Sequence, residues 1–255
     1  MRVMSFNANG IRSATKKGFF DWFYQQNVDV LCIQETKAQE YQLQDELFFH
    51  PDYQRFFFDA EKPGYSGVGI YCKKTPDQVH KGLGFPVADT EGRYIQADFG
   101  SISVASLYLP SGSSSPLRQE VKMAFMAQYQ MILEKQLKEK RVYIICGDWN
   151  IVHKQIDIKN WAGNQKSSGC LPEERAWLDL LFEQWGWVDA FRVLNHEKDQ
   201  YTWWSERMRS WDKNVGWRID YQVASPALRD TIKAVSIYRG QKFSDHAPLV
   251  IDYEL

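Results

Sequence analysis

Near its C-terminus the chain reads Ser244-Asp245-His246-Ala247-Pro248-Leu249, shortly after Trp217-Arg218-Ile219-Asp220-Tyr221. A histidine beside one acid, with a second acid in reach on a strand, is a unit for chemistry at phosphorus. One carboxylate can hold a metal while the other fixes the imidazole tautomer. More polar groups stand where strands should end. Asn7 and Asn9 follow Phe6, Glu35 follows Ile33-Gln34, Tyr108 precedes Leu109-Pro110-Ser111, and Asp148 and Asn150 follow Ile144-Ile145-Cys146-Gly147. Asn and Asp after a strand often only close a turn. Glu35 and Asp148, however, both follow strongly apolar runs, and an acid leaving the core there is costly unless it meets a cation or a hydrogen-bond donor.

Residue type divides the work among these groups. Hard oxygen ligands suit Mg²⁺ or Mn²⁺, which take few protein carboxylates and keep several waters. Glu35 and Asp245 are the best ligand candidates. His246 can donate to a scissile phosphate or polarise it, with Asp220 orienting its other ring nitrogen. Asp148 is left as the base or orienter for an attacking water. Asn7 and Asn150 can fix that water and the phosphate oxygens, and Tyr108 can donate its phenol to the phosphate. Together these fit metal-assisted hydrolysis of a phosphodiester by in-line attack of water. No GxSxG elbow supports a covalent serine route.

These side chains need a scaffold of many strands. Runs rich in Val, Ile, Tyr and Phe predict strands over 2–6, 29–33, 55–59, 68–73, 94–98, 102–109, 142–147, 201–204, 218–224, 232–238 and 248–253. Helical spacing predicts helices over 15–26, 39–47, 117–137 and 172–184, the last opening on Pro172-Glu173-Glu174. Many strands with few helices fit two packed sheets with helices outside. Two halves of similar make-up, 1–125 and 126–255, predict one sheet each. No linker or repeat interrupts the chain, so a single domain over 1–255 is expected. Gly64-Tyr65-Ser66-Gly67-Val68-Gly69 has glycines near a phosphate-loop pattern, but it leads into a strand rather than a helix, which rejects a nucleotide loop.

A length of 255 residues with 44% hydrophobic content supports a sizeable core, and ten tryptophans can also line a surface that stacks bases or grips a sugar. The net charge of −1 does not by itself point to a nucleic-acid partner. Clustered charge governs phosphate contact, not the total. Lys16-Lys17 and Lys73-Lys74 read as solvated faces. Segment 207–218 sets Arg207, Arg209, Lys213 and Arg218 against Asp212, with Trp203, Trp204, Trp211 and Trp217 interleaved, and reads as a functional ridge. Cys32, Cys72, Cys146 and Cys170 lack metal-site spacing; Cys32 and Cys146 lie in apolar runs and read as buried free thiols, which suits a reducing compartment. The N-terminus begins on a strand without a signal peptide, and no apolar run is long enough to span a bilayer, so a cytoplasmic protein without a membrane partner is expected.

In order along the chain, SFNANGIR, QETK, GYSGVGIY, LYLPSG, GDWNI, LPEER, NVGWRIDY and SDHAPL resemble the exonuclease III family of apurinic/apyrimidinic endonucleases, within the endonuclease/exonuclease/phosphatase superfamily that includes DNase I. The likeness runs from about residue 2 to residue 253. SDH and GDxN mark the superfamily; QETK, LPEER and NVGWRIDY narrow it. The resemblance implies a four-layer α/β/β/α sandwich with two mainly antiparallel sheets, and a Mg²⁺-dependent nuclease of base-excision repair that cuts duplex DNA 5′ to abasic sites. It implies 3′–5′ exonuclease and 3′-phosphatase or phosphodiesterase side activities. It also implies Glu35 as principal metal ligand aided by Asp245 and Asn9, a water-activating and phosphate-binding group of Asn7, Asp148 and Asn150, Tyr108 as a phosphate ligand, and Asp220–His246 as the acid–histidine pair. By the same likeness Trp203, Trp217 and Ile219 form a pocket for the base-less sugar. Asn164, Ser167, Gly169, Arg207 and Tyr65 are then further substrate contacts.

Relatives often carry Phe at position 203, an apolar side chain at 207 and Asn at 167. Gly169 matches the small residue of abasic-site cutters. An extruded deoxyribose fits a small apolar pocket, and flipping it is easier without a base. Two narrower readings stand beside this one: an enzyme that mainly trims and cleans 3′ ends, and a small-molecule phosphodiesterase of the same superfamily. The ridge 203–218 disfavours the latter. A non-catalytic binding module should have lost some of Glu35, Asp148, Asp220, Asp245 and His246, and all are present. The chain lacks the long basic N-terminal extension of some nuclear relatives, so a bacterial cytoplasm is expected; the protein is also expected to be a monomer.

Overall fold

The strand-forming runs lack polar alternation because most of these strands are covered on both faces. In the computed structural model, which describes residues 1–255, they form β1 (Arg2–Asn7), β2 (Val30–Gln34), β3 (Gln54–Phe58), β4 (Val68–Cys72), β5 (Gln78–Lys81), β6 (Tyr94–Phe99), β7 (Ile102–Tyr108), β8 (Val142–Asp148), β9 (Val188–Asp189), β10 (Asp220–Ala224), β11 (Ile232–Ile237) and β12 (Leu249–Tyr253). Two six-stranded sheets result, in the orders β11-β12-β1-β2-β4-β3 and β5-β6-β7-β8-β10-β9. The expected split into halves does not hold. The last two strands return to the first sheet, where β12 pairs antiparallel with β1, and Arg2 grips Asp252 through two bonds of 2.7 and 2.9 Å. Pairing depends on which strand edges remain open after collapse, and similar composition of the two halves carries no such information.

Each sheet is mainly antiparallel with one parallel pair. β1 runs parallel to β2 with Asn7 beside Gln34, and β7 runs parallel to β8 with Tyr108 beside Asp148. These two pairs bring the C-terminal ends of four strands to one rim. β10 runs antiparallel to β8 and starts at that rim, with Asp220 directly opposite Asp148.

Three apolar layers hold the sandwich. Val3, Cys32, Ile70, Ile95, Val104, Ile144, Cys146 and Leu249 pack between the sheets. The second sheet is covered by α4 (Pro116–Gln136) and α5 (Pro172–Asp179), which share a layer with Leu107, Ile145, Trp149 and Trp187; α5 continues as a π turn, Leu180–Gln184. The first is covered by α1 (Ile11–Lys16) and α2 (Phe19–Phe23), where Phe6 and Phe19 stack at 4.2 Å. The remaining helices, α3 (Pro86–Thr90) and α6 (Ala190–Leu194), are single short turns. Toward the rim the inter-sheet layer becomes polar. Gln34 donates to Ser106 at 2.9 Å and Ser106 donates to the Ile33 carbonyl at 2.8 Å, while deeper between the sheets Gln222 donates to the Val3 carbonyl at 3.0 Å. Directional bonds of this kind fix how one sheet sits on the other, which apolar packing alone leaves loose.

Local departures have local causes. The helix expected over 15–26 is broken by Gly18, whose φ of 84° belongs to the left-handed region, giving α1 and α2. The helix expected over 39–47 is two 3₁₀ turns, Glu40–Gln42 and Glu46–Phe48. Segment 201–204 is no strand of either sheet. Trp203 makes isolated bridges to Trp217 and His246 instead. β5 and β9 escape the sequence reading, β5 being a mostly exposed polar edge and β9 only two residues long. All four cysteines are buried and unpaired, as expected for Cys32 and Cys146.

The β7–β8 pairing tolerates no side chain at Gly147, where a Cβ would lie 2.1 Å from the Leu107 carbonyl oxygen. Gly147→Ala should therefore lower stability by about 2 kcal/mol, read from the midpoint of denaturant unfolding.

Candidate active site

The rim is built from strand ends that turn sharply. Asn9, Glu35, Lys37 and Asn150 all have positive φ, between 42° and 53°. Non-glycine residues in this region carry strain, and such residues cluster at functional sites. Backbone bonds hold the turns: Gly10 N–H to the Glu35 carbonyl at 2.8 Å, Thr36 N–H to Gly67 at 3.1 Å, and Lys37 N–H to Ser66 at 2.8 Å. The glycine loop 64–69 thus serves as a brace for the Glu35 turn. Gly67 has φ 87°, and a Cβ there would strike the Thr36 hydroxyl at 2.3 Å.

Asp148 and Asp220 face each other at the ends of β8 and β10, and His246 lies against both. Its Nδ1 is 2.8 Å from Asp220 Oδ2, and its Nε2 is 3.8 Å from Asp148 Oδ2. Asn7 donates its amide to Asp148 Oδ2 at 2.9 Å and to Glu35 Oε1 at 3.2 Å, which joins the two sheets at the rim. Asp148 Oδ1 accepts the Asn150 backbone N–H at 2.9 Å. Asp245 accepts from Asn9 Nδ2 at 2.9 Å, from Ser244 Oγ at 3.1 Å and from Trp203 Nε1 at 3.0 Å.

Burial and charge set the protonation. Burial opposes the imidazolium of His246, but Asp220, aided by Asp148 and Asp245, outweighs it and pushes the pKa up, to about 10. Burial, the facing Asp220 and Glu35 push the Asp148 carboxyl upward, while His246 pulls it down. Glu35 moves the other way: burial would raise its pKa, but Lys37, Tyr108 and His246 together hold it below its ordinary value. Asp245 is likewise held low against burial by His246 and its three donors.

A cleft of about 860 Å³ opens over this rim, lined by Glu35, Tyr108, Asp148, Asn150, Asp245 and His246 and walled by Trp203, Trp217, Ile219, Ser167 and Gly169. Trp203 and Trp217 meet edge to face at 5.8 Å. Gly169 has φ 90°, and a Cβ would sit 3.0 Å from the Asn150 carbonyl and 3.2 Å from Trp217, so only glycine fits without displacement. The other residues named from sequence lie apart from this wall. Asn7 and Asp220 are buried behind it, and Asn7 spends its amide on the two carboxylates. Asn9 stands at the rim beside Asp245. Asn164 bonds the Asn160 carbonyl and Ser167 and stays off the cleft. Tyr65 accepts a bond from Arg93 at 3.2 Å behind Tyr108, and Arg207 is on an exposed tip.

The ridge over 207–218 is smaller than its sequence suggests. Arg218 is buried and ion-paired with Asp157 at 2.7 Å and Asp189 at 2.6 Å, so it cannot meet phosphate. Trp204 is fully buried and carries Trp211 against it at 4.5 Å. Only Trp203 and Trp217 of the four face the cleft. Conversely, sequence reading passed over three groups. Lys37 bridges to Glu35 at 2.9 Å and also donates to Asn9. Lys122 and Glu174 form a fully buried ion pair at 2.6 Å, in which Lys122 donates to the Asn150 carbonyl at 2.8 Å and Glu174 accepts the Gly169 N–H at 2.6 Å. This pair clamps the end of β8 to the pocket wall. Its residues sit in unremarkable helical positions, although LPEER marks one of them.

This geometry can be set beside known proteins. A model described as the endonuclease/exonuclease/phosphatase family matches residues 4–246. The chain belongs to that family. Within it, an exodeoxyribonuclease of Bacillus subtilis is 37% identical over 98% of both chains. The DNA repair nuclease APEX1 of Danio rerio is 35% identical over 98% of this chain and 81% of its own. An AP endonuclease of Archaeoglobus fulgidus superposes over the whole of both chains with a TM-score of 0.90 at 25% identity. The four-layer sandwich expected from sequence is the fold of this family member.

Two sets of acids and imidazole could hold a metal by spacing alone: Asp148, Asp220 and His246, and His153, Asp179 and Glu183. The first is closed by its own ion pairing, and Lys154 already bridges Asp179 and Glu183. The oxygens of Glu35, Asn9 and Asp245 fit a hard cation better. The Lys37 ammonium lies between Glu35 and Asn9, so the oxygens of these two residues already share a positive charge.

Two measurements check this site. Glu174→Ala strands the buried Lys122 charge and should cost roughly 3 kcal/mol or more in unfolding free energy. In the metal-free protein, NMR of labelled His246 should show both ring nitrogens protonated at neutral pH, with deprotonation above its usual pKa of about 6.5. Asp220→Asn should move that deprotonation down, because burial then acts against less opposing charge.

Proposed function

We propose that this chain is a Mg²⁺-dependent DNA repair nuclease that hydrolyses the phosphodiester 5′ to abasic sites in duplex DNA. Trimming and dephosphorylation of 3′ ends are its secondary activities. The observation that carries this reading is one cleft in which a bridged acid–imidazolium group, an oxygen-rich rim and a two-tryptophan wall meet. Glu35, Asp245 and Asn9 would hold the cation, with Mn²⁺ an acceptable substitute. Bound there, the cation would supply Lewis-acid polarisation of a phosphoryl oxygen.

The chain's own residues account for the rest. His246 is kept cationic by Asp220 and donates from Nε2 to a phosphate oxygen as charge develops on it. Asp148, whose carboxyl is shifted upward, takes the proton of the attacking water, and Asn7 fixes its orientation. Tyr108 lies beside Glu35, stacked under Arg93 at 4.6 Å, and donates its phenol to the phosphate. Asn150 keeps its amide on the Leu109 carbonyl at 2.8 Å, which leaves its carbonyl oxygen as an acceptor for the water. Trp203, Trp217, Ile219 and Gly169 accept a deoxyribose and exclude one bearing a base. Ser167 lies at that wall, and Asn164, Tyr65 and Arg207 act at longer range. A neighbouring hollow lined by Arg12 and Lys16 would supply cations for the flanking phosphates. The relatives' names support a DNA substrate. We take the chain to work as a single-domain monomer in the cytoplasm.

A duplex with one abasic analogue, a duplex with a 3′-phosphate and a recessed undamaged 3′ end, compared side by side, test this reading. Cleavage at the abasic site should be fastest and abolished by EDTA. Asp148→Asn and His246→Ala should each lose on the order of 1,000-fold or more in kcat at that site. Turnover in EDTA, or an active Asp148→Asn protein, would overturn it.

A further inference from the structure

Trp203 forms part of the pocket wall, and its polar edge is bonded to the rim. Its indole N–H donates to Asp245 Oδ2 at 3.0 Å. Asn9 and Ser244 occupy Oδ1 of the same carboxylate, at 2.9 and 3.1 Å. The indole is therefore the sole protein donor on Oδ2, and it fixes the rotation of the carboxylate about its Cβ–Cγ bond. The backbone around it is rigid. Trp203 and Trp217 exchange backbone bonds, both 2.9 Å, and Trp204 N–H bonds the Asp245 carbonyl at 3.0 Å. Trp217, the other ring of the wall, makes no bond to Asp245. A phenyl ring at position 203 would keep the wall apolar but supply no donor.

We propose that Trp203 is a positioning residue for the metal: its indole N–H orients Asp245 for the cation, so that one side chain serves both the sugar pocket and the metal rim. The proposal rests on Asp245 being a metal ligand. Partners that orient a ligating carboxylate change metal affinity by about 10- to 100-fold when removed. Because the same side chain lines the pocket and bonds the ligand, pocket occupancy and metal affinity are linked, and linkage acts equally in both directions.

Binding of Mn²⁺ to the full-length protein without DNA, followed by electron paramagnetic resonance of the free ion, tests this apart from turnover. Trp203→Phe should weaken Mn²⁺ binding about 10-fold, whereas Trp217→Phe should leave it within about twofold of the parent. A benzothienylalanine at position 203 keeps the ring's size and lacks the N–H, and it should match Trp203→Phe even if the phenylalanine variant is poorly folded. Parent-like affinity in the benzothienylalanine protein, or equal loss in the two phenylalanine variants, would overturn the proposal. Asp245→Ala separates the two levels. If it binds Mn²⁺ as the parent does, Asp245 is no ligand and the underlying reading fails. If it loses binding while the position-203 variants do not, only the role of the indole fails.

Discussion

Two carboxylates face each other across β8 and β10, both buried, and the imidazole of His246 lies against them. Like charges directly opposed in a sheet are destabilising, and burial raises the cost of each. The second oxygen of Asp220 finds no hydrogen-bond partner, so the imidazole of His246 is the one group bonded to that carboxylate. That demand holds the 244–249 segment at the rim, keeps His246 cationic, and leaves Asp148 poised between its protonated and ionised forms. The arrangement is costly in isolation and persists because the whole sandwich is built around it.

What makes it affordable is rigidity in the surroundings. Strained turns at Asn9, Glu35 and Asn150 are pinned by backbone bonds to neighbouring loops, and Asn7 ties the carboxylates of the two sheets together. From below, the Lys122–Glu174 pair fastens the Asn150 and Gly169 loops. Polar bonds such as Gln34–Ser106 stop one sheet sliding over the other. Catalytic geometry needs tolerances well under an ångström, and shells of this kind supply them.

The cleft joins two kinds of surface. One side is a rim of oxygens and charges, and the other is an apolar wall of Trp203, Trp217 and Ile219. Gly169 marks the seam, where its φ of 90° and the approach of backbone and indole leave no room for a side chain without displacement. The tryptophans expected to form a broad stacking ridge are split between this wall and the core under Arg239, which lies 4.8 Å over Trp204. On the function proposed above, DNA would be gripped more by shape at one flipped residue, and by cations such as Arg12 and Lys16, than by a row of stacked rings.

Chemistry and layer architecture were legible in the chain itself. Acids that close apolar runs, such as Glu35 and Asp148, stand out because they violate the pattern around them, and continuous apolar strands announce sheets covered on both faces. Family motifs then pointed to candidate residues, and the fold gathers Glu35, Tyr108, Asp148, Asn150, Asp245 and His246 at one cleft. Partnership was not legible. That β12 pairs with β1, that Arg218 spends its charge on Asp157 and Asp189, that Lys37 answers Glu35, and that Lys122 meets Glu174 all depend on contacts between residues far apart in sequence. Residue type states what a group can do; only the packed structure decides whether a neighbour has already used it.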